Sequence, residues 1–377
     1  MARFFFIQHQ NMEVLVGSDI PTGGSAVQTV IWMQALKELG HDILQGKLQN
    51  DTRELMKEFS WVSIYPLYHP KKNRKRFSWY THRLPSIFKT LKNSQCDVLY
   101  ESIPQWYSIY LGIFCKILKI KHVIRVANDN MMDERILLQQ SKLNRFFIFL
   151  GLRISDNILV QNDYQYQSLK KRFPKKNILK IFNPIVLNKD LMKNKSEMKG
   201  YIAWAANFRY QKNLKMLYEI AAILPEENFK IAGSPKFPLD NETSEFYEKL
   251  QKLSNVKFVG NLSRLEIFDF YSKAKFLLNT SRYEGFSNTF LESLLVGTPI
   301  LTTSEVNPDR IIEKFNIGYL YQNAEDLKKT INAISNDEYL LKTDNCIKYL
   351  KNNHDHLILG KIILKFLEVG EYTKADF

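Results

Sequence analysis

Short apolar runs alternate along the whole chain with longer stretches whose apolar residues recur every three or four positions, the signature of strands followed by amphipathic helices. In the first half, strands are predicted near Phe4–Gln8, Ile43–Gln45, Val62–Tyr65, Val98–Glu101, Val123–Val126, Ile158–Gln161 and Leu179–Phe182. The second half repeats the pattern at Tyr201–Ala205, Phe229–Ala232, Lys257–Val259, Phe276–Leu278, Ile300–Thr302 and Tyr319–Tyr321. Strand and helix in strict alternation predict parallel sheets covered on both faces, with ligands at the carboxyl ends of the strands. Between the halves, Asn183–Lys199 is polar and opens on a proline, which predicts an interdomain linker. The expected organisation is an α/β protein of two doubly wound, Rossmann-like domains, 1–185 and 186–355. A final apolar helix within 356–377 follows them.

The densest chemistry lies in Ser281–Pro299, SRYEGFSNTFLESLLVGTP. Phe276–Leu278 predicts a buried strand, and Phe290, Leu291, Leu294 and Leu295 the inward stripe of the next helix, with Ser287 or Asn288 as N-cap and Gly285 easing the turn. The amides of that first helical turn, at the positive end of the helix dipole, suit a diphosphate. Glu284 sits on the loop and Glu292 about a turn into the helix, so two carboxylates that each accept hydroxyl hydrogen bonds flank an anion site. A loop charge and a solvated helix glutamate would have the same spacing.

This segment resembles the signature of retaining glycosyltransferases of family four, which have the GT-B fold, two Rossmann-like domains facing a central cleft. The matching residues are Glu284, Gly285, Phe286, Glu292, Gly297, Thr298 and Pro299, with Ser287 where a glycine is common. The resemblance implies that Glu284 contacts the donor sugar and Glu292 the nucleotide ribose. The amides of Phe286, Ser287, Asn288 and Thr289 would meet the phosphates. It further implies that Gly23 and Gly24, at the start of an amphipathic helix, reach a donor phosphate, and that Gly233 lies near the nucleotide base. Family members carry an Arg and a Lys that clamp the diphosphate, where charge develops as the glycosidic bond breaks. Lys212 matches the Lys. The Arg position falls on Asn207, so either Arg209 reaches in from a shorter loop or Lys212 acts with less help. The family's acceptor-side His is vacant here. Arg125, Asn128 and Asp129 are candidates to orient the acceptor or sugar, and His122 is expected to be structural. The family's last helix crosses back onto the first domain.

Charge adds a second theme. The chain has 377 residues and a net charge of +14, but Lys plus Arg outnumber Asp plus Glu 27 to 14 over residues 1–185 and only 26 to 25 over 186–377. Within 71–92, Lys71, Lys72, Arg74, Lys75, Arg76, Arg83, Lys89 and Lys92 have no acidic neighbour and are interleaved with Phe77, Trp79, Tyr80 and Phe88. Basic side chains attract anionic lipid headgroups and Trp and Tyr favour the interface, so this stretch predicts an anionic membrane surface as partner. A solvated basic loop or a nucleic-acid footprint are the other readings of such a run. No nucleic acid partner is expected.

Three cysteines without metal spacing, the lack of a signal-peptide core in MARFFFIQHQ, and no apolar stretch long enough to span a bilayer predict a cytoplasmic protein, peripheral on the inner face of the cell membrane. No metal and no cofactor are expected. The function expected is transfer of a sugar from a nucleotide diphosphate sugar to a glycan or glycolipid acceptor with retention, most simply a lipid-linked glycan of a bacterial surface polysaccharide. A GT-B sugar-nucleotide epimerase and a non-catalytic, basic nucleic-acid-binding protein are the alternatives.

Overall fold

The computed structural model describes residues 1–18, 23–71, 77–138, 140–192, 194–235 and 237–368. The chain divides into two compact units, one of residues 1–184 with 356–377 and one of residues Ile185–Asp355.

Unit 1 holds β1 (Arg3–Phe6), β2 (Asp42–Lys47), β3 (Ser63–Pro66), β4 (Val98–Glu101), β5 (Lys121–Arg125), β6 (Asn157–Val160) and β7 (Asn177–Lys180). They form one sheet in the order β3-β2-β1-β4-β5-β6-β7, and the paired strands run parallel. Unit 2 holds β8 (Tyr201–Ala205), β9 (Phe229–Ala232), β10 (Val256–Gly260), β11 (Ala274–Leu278), β12 (Ile300–Thr302) and β13 (Gly318–Leu320), a parallel sheet in the order β10-β9-β8-β11-β12-β13. Helices cover both faces of each sheet, which is why the central strands read as near-continuous apolar runs instead of alternating. Along β8, Tyr201 and Ala203 enter one core cluster while Ile202 and Trp204 enter the other. In each sheet the strand order reverses once, between β1 and β4 and between β8 and β11, and a crevice opens outside the carboxyl ends there.

The segment expected as a linker is not one. The units part at Pro184, and Ile185 already donates its amide to the His354 carbonyl at 2.9 Å. Leu187, Leu191 and Met192 pack against the core of unit 2. The Lys195 ammonium donates to the carbonyls of Tyr271 at 3.3 Å, Ala274 at 2.9 Å and Ser272, which ties the segment to the end of the helix Arg264–Ser272. A few well-spaced apolar residues outweigh the polar composition. The last helix, His356–Phe366, belongs to unit 1, where Leu359, Ile363 and Leu364 join the cluster of Val30, Met33 and Leu36. Gly360 allows it to approach the helix Gly24–Glu38, since a Cβ there would meet the Leu39 side chain at 2.7 Å.

Candidate active site

The switch point of unit 2 brings together two loops far apart in sequence. After β8, Ala206 and Phe208 extend the sheet by hydrogen bonds to Ala232 and Ser234. Phe208 is buried against Trp204, Tyr247 and Phe258. The chain then tightens into a single 3-10 turn, Tyr210–Lys212, and Asn213 at φ 53° caps the helix Leu214–Ile223 through its side chain. A positive φ suits asparagine better than any larger residue. After β11, the Thr280 hydroxyl accepts from the Trp204 indole at 3.0 Å and donates to the Lys212 carbonyl at 2.7 Å. Lys212 is thereby fixed over the strand ends, and its ammonium pairs with the Glu284 carboxylate. Both side chains are largely shielded, at 13% and 12% exposure. A small recess bounded by Ala206, Lys212, Asn279 and Thr289 opens beside the pair.

The helix beyond the loop, Asn288–Leu295, starts without a side-chain cap. Ser287 holds the N-cap position as expected from sequence, yet its hydroxyl pairs with that of Thr289 at 2.9 Å. The Phe290 amide donates to the Ser287 carbonyl at 3.2 Å, and the positive dipole end of the helix stands at the strand ends without a side-chain cap. Phe286 is buried edge-on to Phe290 and beside His354, so its ring serves the core and only its backbone faces the loop. Gly285 is buried in the same turn. Glu292 lies one turn along, where burial pushes its carboxyl up to about 7 against the opposing charge of Arg264. The buried Tyr271 hydroxyl nearby has no hydrogen-bond partner, and burial together with the Glu292 charge pushes it well above the usual phenol range. Gly233 ends β9 at φ +110°, and a Cβ there would stand 2.0 Å from the Ala206 carbonyl oxygen. Only glycine allows the two strand ends to meet.

Arg209 and Arg125 are placed differently from expectation. Arg209 is exposed, its guanidinium makes no hydrogen bond or ion pair among the described residues, and it does not join Lys212 and Glu284; Asn207 is half-buried. The 3-10 turn explains the separation, since it carries Lys212 back toward β11 while Arg209 stays at its outer start. In unit 1, Arg125 cannot touch an acceptor as it stands. It is 1% exposed, its guanidinium donates to the Asn183 amide oxygen, and one nitrogen is unpaired. Burial lowers its pKa. Asn128 keeps an unpartnered side-chain oxygen, and the Asp129 carboxylate accepts from Asn162 at 2.9 Å and Gln165 at 2.7 Å. Burial nevertheless raises Asp129 to about 6. His122 is a buried partner of Glu101 at 3.2 Å, which also accepts from the Ser108 hydroxyl, so it holds β5 to β4. Gly23 and Gly24 begin the helix Gly24–Glu38 in unit 1, exposed and without a side-chain cap. Lys72, Arg74, Lys75 and Arg76 of the basic stretch lie outside the described residues. What is described of it combines exposed Lys71, Phe77, Tyr80, Lys89 and Lys92 with the Arg83 guanidinium over the rings of Tyr68 and Trp79. Sequence reasoning missed Gln211, Thr280 and Arg282, which hold the two loops; their only signal is that they flank the charged pair.

Residues 189–353 match the family model described as glycosyl transferases group 1. The matched residues lie within unit 2 and make up less than half of the chain. The sites placed above at β8, β11 and the following helix all fall within that match. An uncharacterized glycosyltransferase of Methanocaldococcus jannaschii is 26% identical over 228 residues, 60% of this chain and 62% of that protein. The alpha-monoglucosyldiacylglycerol synthase of Streptococcus pneumoniae is 30% identical over 124 residues, 32% of this chain and 28% of its own length. The chain thus matches less than two thirds of either relative. Among solved structures, HepE of Anabaena in complex with UDP has a TM-score of 0.76 at 15% identity, covering 98% of this chain and 100% of that one. Sucrose-phosphate synthase of Thermosynechococcus elongatus has a TM-score of 0.76 at 14% identity, covering 98% of each. The chain thus has the GT-B fold, and the residues that match the family model lie in its second unit.

Among the described residues no helix is long and apolar enough to cross a membrane, and no three His, Cys, Asp or Glu side chains are grouped to hold a metal ion.

Proposed function

We propose that the protein is a retaining glycosyltransferase that takes a sugar from a nucleotide diphosphate sugar and places it on the hydroxyl of a membrane-associated glycan or glycolipid. The observation that carries this reading is the shielded Lys212–Glu284 pair at the β8/β11 switch point, beside the uncapped first turn of Asn288–Leu295. Lys212 and the helix amides neutralise the diphosphate as the anomeric C–O bond breaks and negative charge gathers on the leaving oxygen. Glu284 orients the sugar hydroxyls and Glu292 the ribose. The acceptor oxygen bonds to the anomeric carbon on the face the diphosphate leaves, and its proton passes to the departing phosphate, so no protein nucleophile takes part. Asn128 and Asp129, at the carboxyl end of β5, are assigned to acceptor orientation. HepE with UDP-glucose and TarM with UDP, both of related fold, support a nucleotide-sugar donor. The name of the streptococcal relative supports a glycolipid acceptor, and the exposed Phe77, Tyr80, Lys89 and Lys92 support an anionic membrane surface at the cytoplasmic face, with surface polysaccharide assembly as setting.

Titration calorimetry against UDP, GDP and ADP and their sugars, followed by product NMR, tests the proposal. Retention at the anomeric carbon and loss of transfer in Glu284→Gln are expected; interconversion of donor epimers without transfer would favour the epimerase instead. Sedimentation with anionic vesicles at low salt, and not with neutral vesicles or short RNA or DNA, checks the membrane reading.

A further inference from the structure

Three successive carbonyls of the turn that carries Lys212 are received by one segment of the neighbouring loop. The Tyr210 carbonyl accepts from the Arg282 guanidinium at 2.5 Å, the Gln211 carbonyl from the Arg282 amide at 2.8 Å, and the Lys212 carbonyl from the Thr280 hydroxyl at 2.7 Å. The Gln211 side chain, 3% exposed, answers by donating to the Tyr283 carbonyl at 2.7 Å, one residue before Glu284. Arg282 does more than close this seam. Its guanidinium lies 4.0 Å from the Tyr210 ring centroid, and its other terminal nitrogen donates to Glu242 at 2.7 Å in the first turn of the helix Asn241–Leu250. A planar group with donors at fixed angles can stack on a ring, bond a carbonyl and pair with a carboxylate at once, which no ammonium can do.

We infer that Arg282 is a positioning residue for Lys212 and Glu284: with Gln211 it fixes the turn after β8 against the loop after β11, so that ammonium and carboxylate stand in register before any donor arrives. The inference rests on the proposed function for its kinetic consequence, not for its structural one. Loops held only by main-chain contacts would let the Lys212 backbone drift, and a misplacement of about 1 Å costs on the order of 100-fold in rate.

Three variants decide it. Arg282→Ala lowers the turnover number about 10- to 100-fold per folded molecule, with the donor KM changed less than about threefold, because the binding groups remain while their alignment is lost. Arg282→Lys recovers part of that loss through a single hydrogen bond, whereas a role in stability alone would leave turnover per folded molecule unchanged in both. A readout free of activity is a thermal-melt cycle with Glu284→Gln: the shift caused by Glu284→Gln shrinks by half or more when Arg282 is already alanine, since the pair it would break is already loose. Equal shifts in both backgrounds, or wild-type turnover in folded Arg282→Ala, would overturn the inference. A wild-type chain inactive with every donor would sink the proposed function while the melt cycle still judges Arg282.

Discussion

Changing Glu284 to glutamine should move two measurements in opposite directions. The carboxylate is paired with Lys212, and both side chains are about an eighth exposed. In the proposed donor complex the diphosphate takes over the ammonium, which leaves the Glu284 charge facing phosphate oxygens. Two like unit charges about 6 Å apart at an effective dielectric of about 20 repel by roughly 3 kcal/mol, and solvent at the mouth of the crevice reduces this to about 1–2 kcal/mol. The amide of glutamine removes that repulsion and frees the ammonium. The nucleoside diphosphate of the preferred donor should therefore bind about 5- to 30-fold tighter to Glu284→Gln, by calorimetry at moderate salt. Sugar transfer should fall by about 100- to 1,000-fold, because the charge-assisted hydrogen bonds that orient the sugar are lost where they matter most. Removing one partner of a fully buried pair costs about 3–5 kcal/mol of stability; here partial exposure lets the ammonium rehydrate, and a loss of roughly 1–2 kcal/mol is expected. Unchanged diphosphate affinity together with unchanged transfer would refute the placement of phosphate at Lys212.

Glu292 and Gly233 lend themselves to stability tests. Because burial raises the folded Glu292 carboxyl from 4.5 to about 7, the folded state binds the extra proton between these values, and stability falls as pH rises through that window. Glu292→Gln should match the wild type below about pH 4.5 and exceed it by roughly 1–3 kcal/mol above about pH 7, as read from urea melts at several pH values; a pH-independent difference would count against the burial of the charge. Gly233→Ala combines a left-handed φ with a Cβ 2.0 Å from the Ala206 oxygen, a cost of roughly 3 kcal/mol or more, so its thermal midpoint should fall by about 6 °C or more. A midpoint within about 2 °C of wild type would mean that the β8 end can move aside at little cost.

The strands were legible because burial on both faces makes them plain apolar runs: each of the thirteen expected runs overlaps a strand of the two sheets. Their ends were less so. β7 starts at Asn177, two residues ahead of the apolar run, because the Asn177 and Asn157 side chains hydrogen-bond across the strand pair. A polar residue bonded to its neighbour looks like a loop in sequence. The same blindness misplaced Arg125, which reads as a polar strand end open to ligand but lies inside a sheet covered on both faces, held by Asn183 from the end of β7. Asn183–Lys199 reads as free chain because its composition is polar, while four apolar side chains within it decide where it packs.

The meeting of Lys212 with Glu284 could not be read from spacing, since 72 residues separate them. What joins them is sheet order: β9 and β10 are laid on one side of β8 and β11 on the other, so the loops leaving β8 and β11 diverge to opposite faces and open a crevice between them. The crevice alone would hold two flexible loops. Gln211 and Arg282 convert it into a site, because each hydrogen bond across the seam fixes a backbone atom within a residue or two of a charged group. Topology therefore explains why the charges are neighbours, and the seam explains why they are aligned. It follows that a homologue with the Glu284 motif but without donors at positions 211 and 282 should keep nucleotide binding and lose turnover, unless another pair of side chains bridges the same two loops.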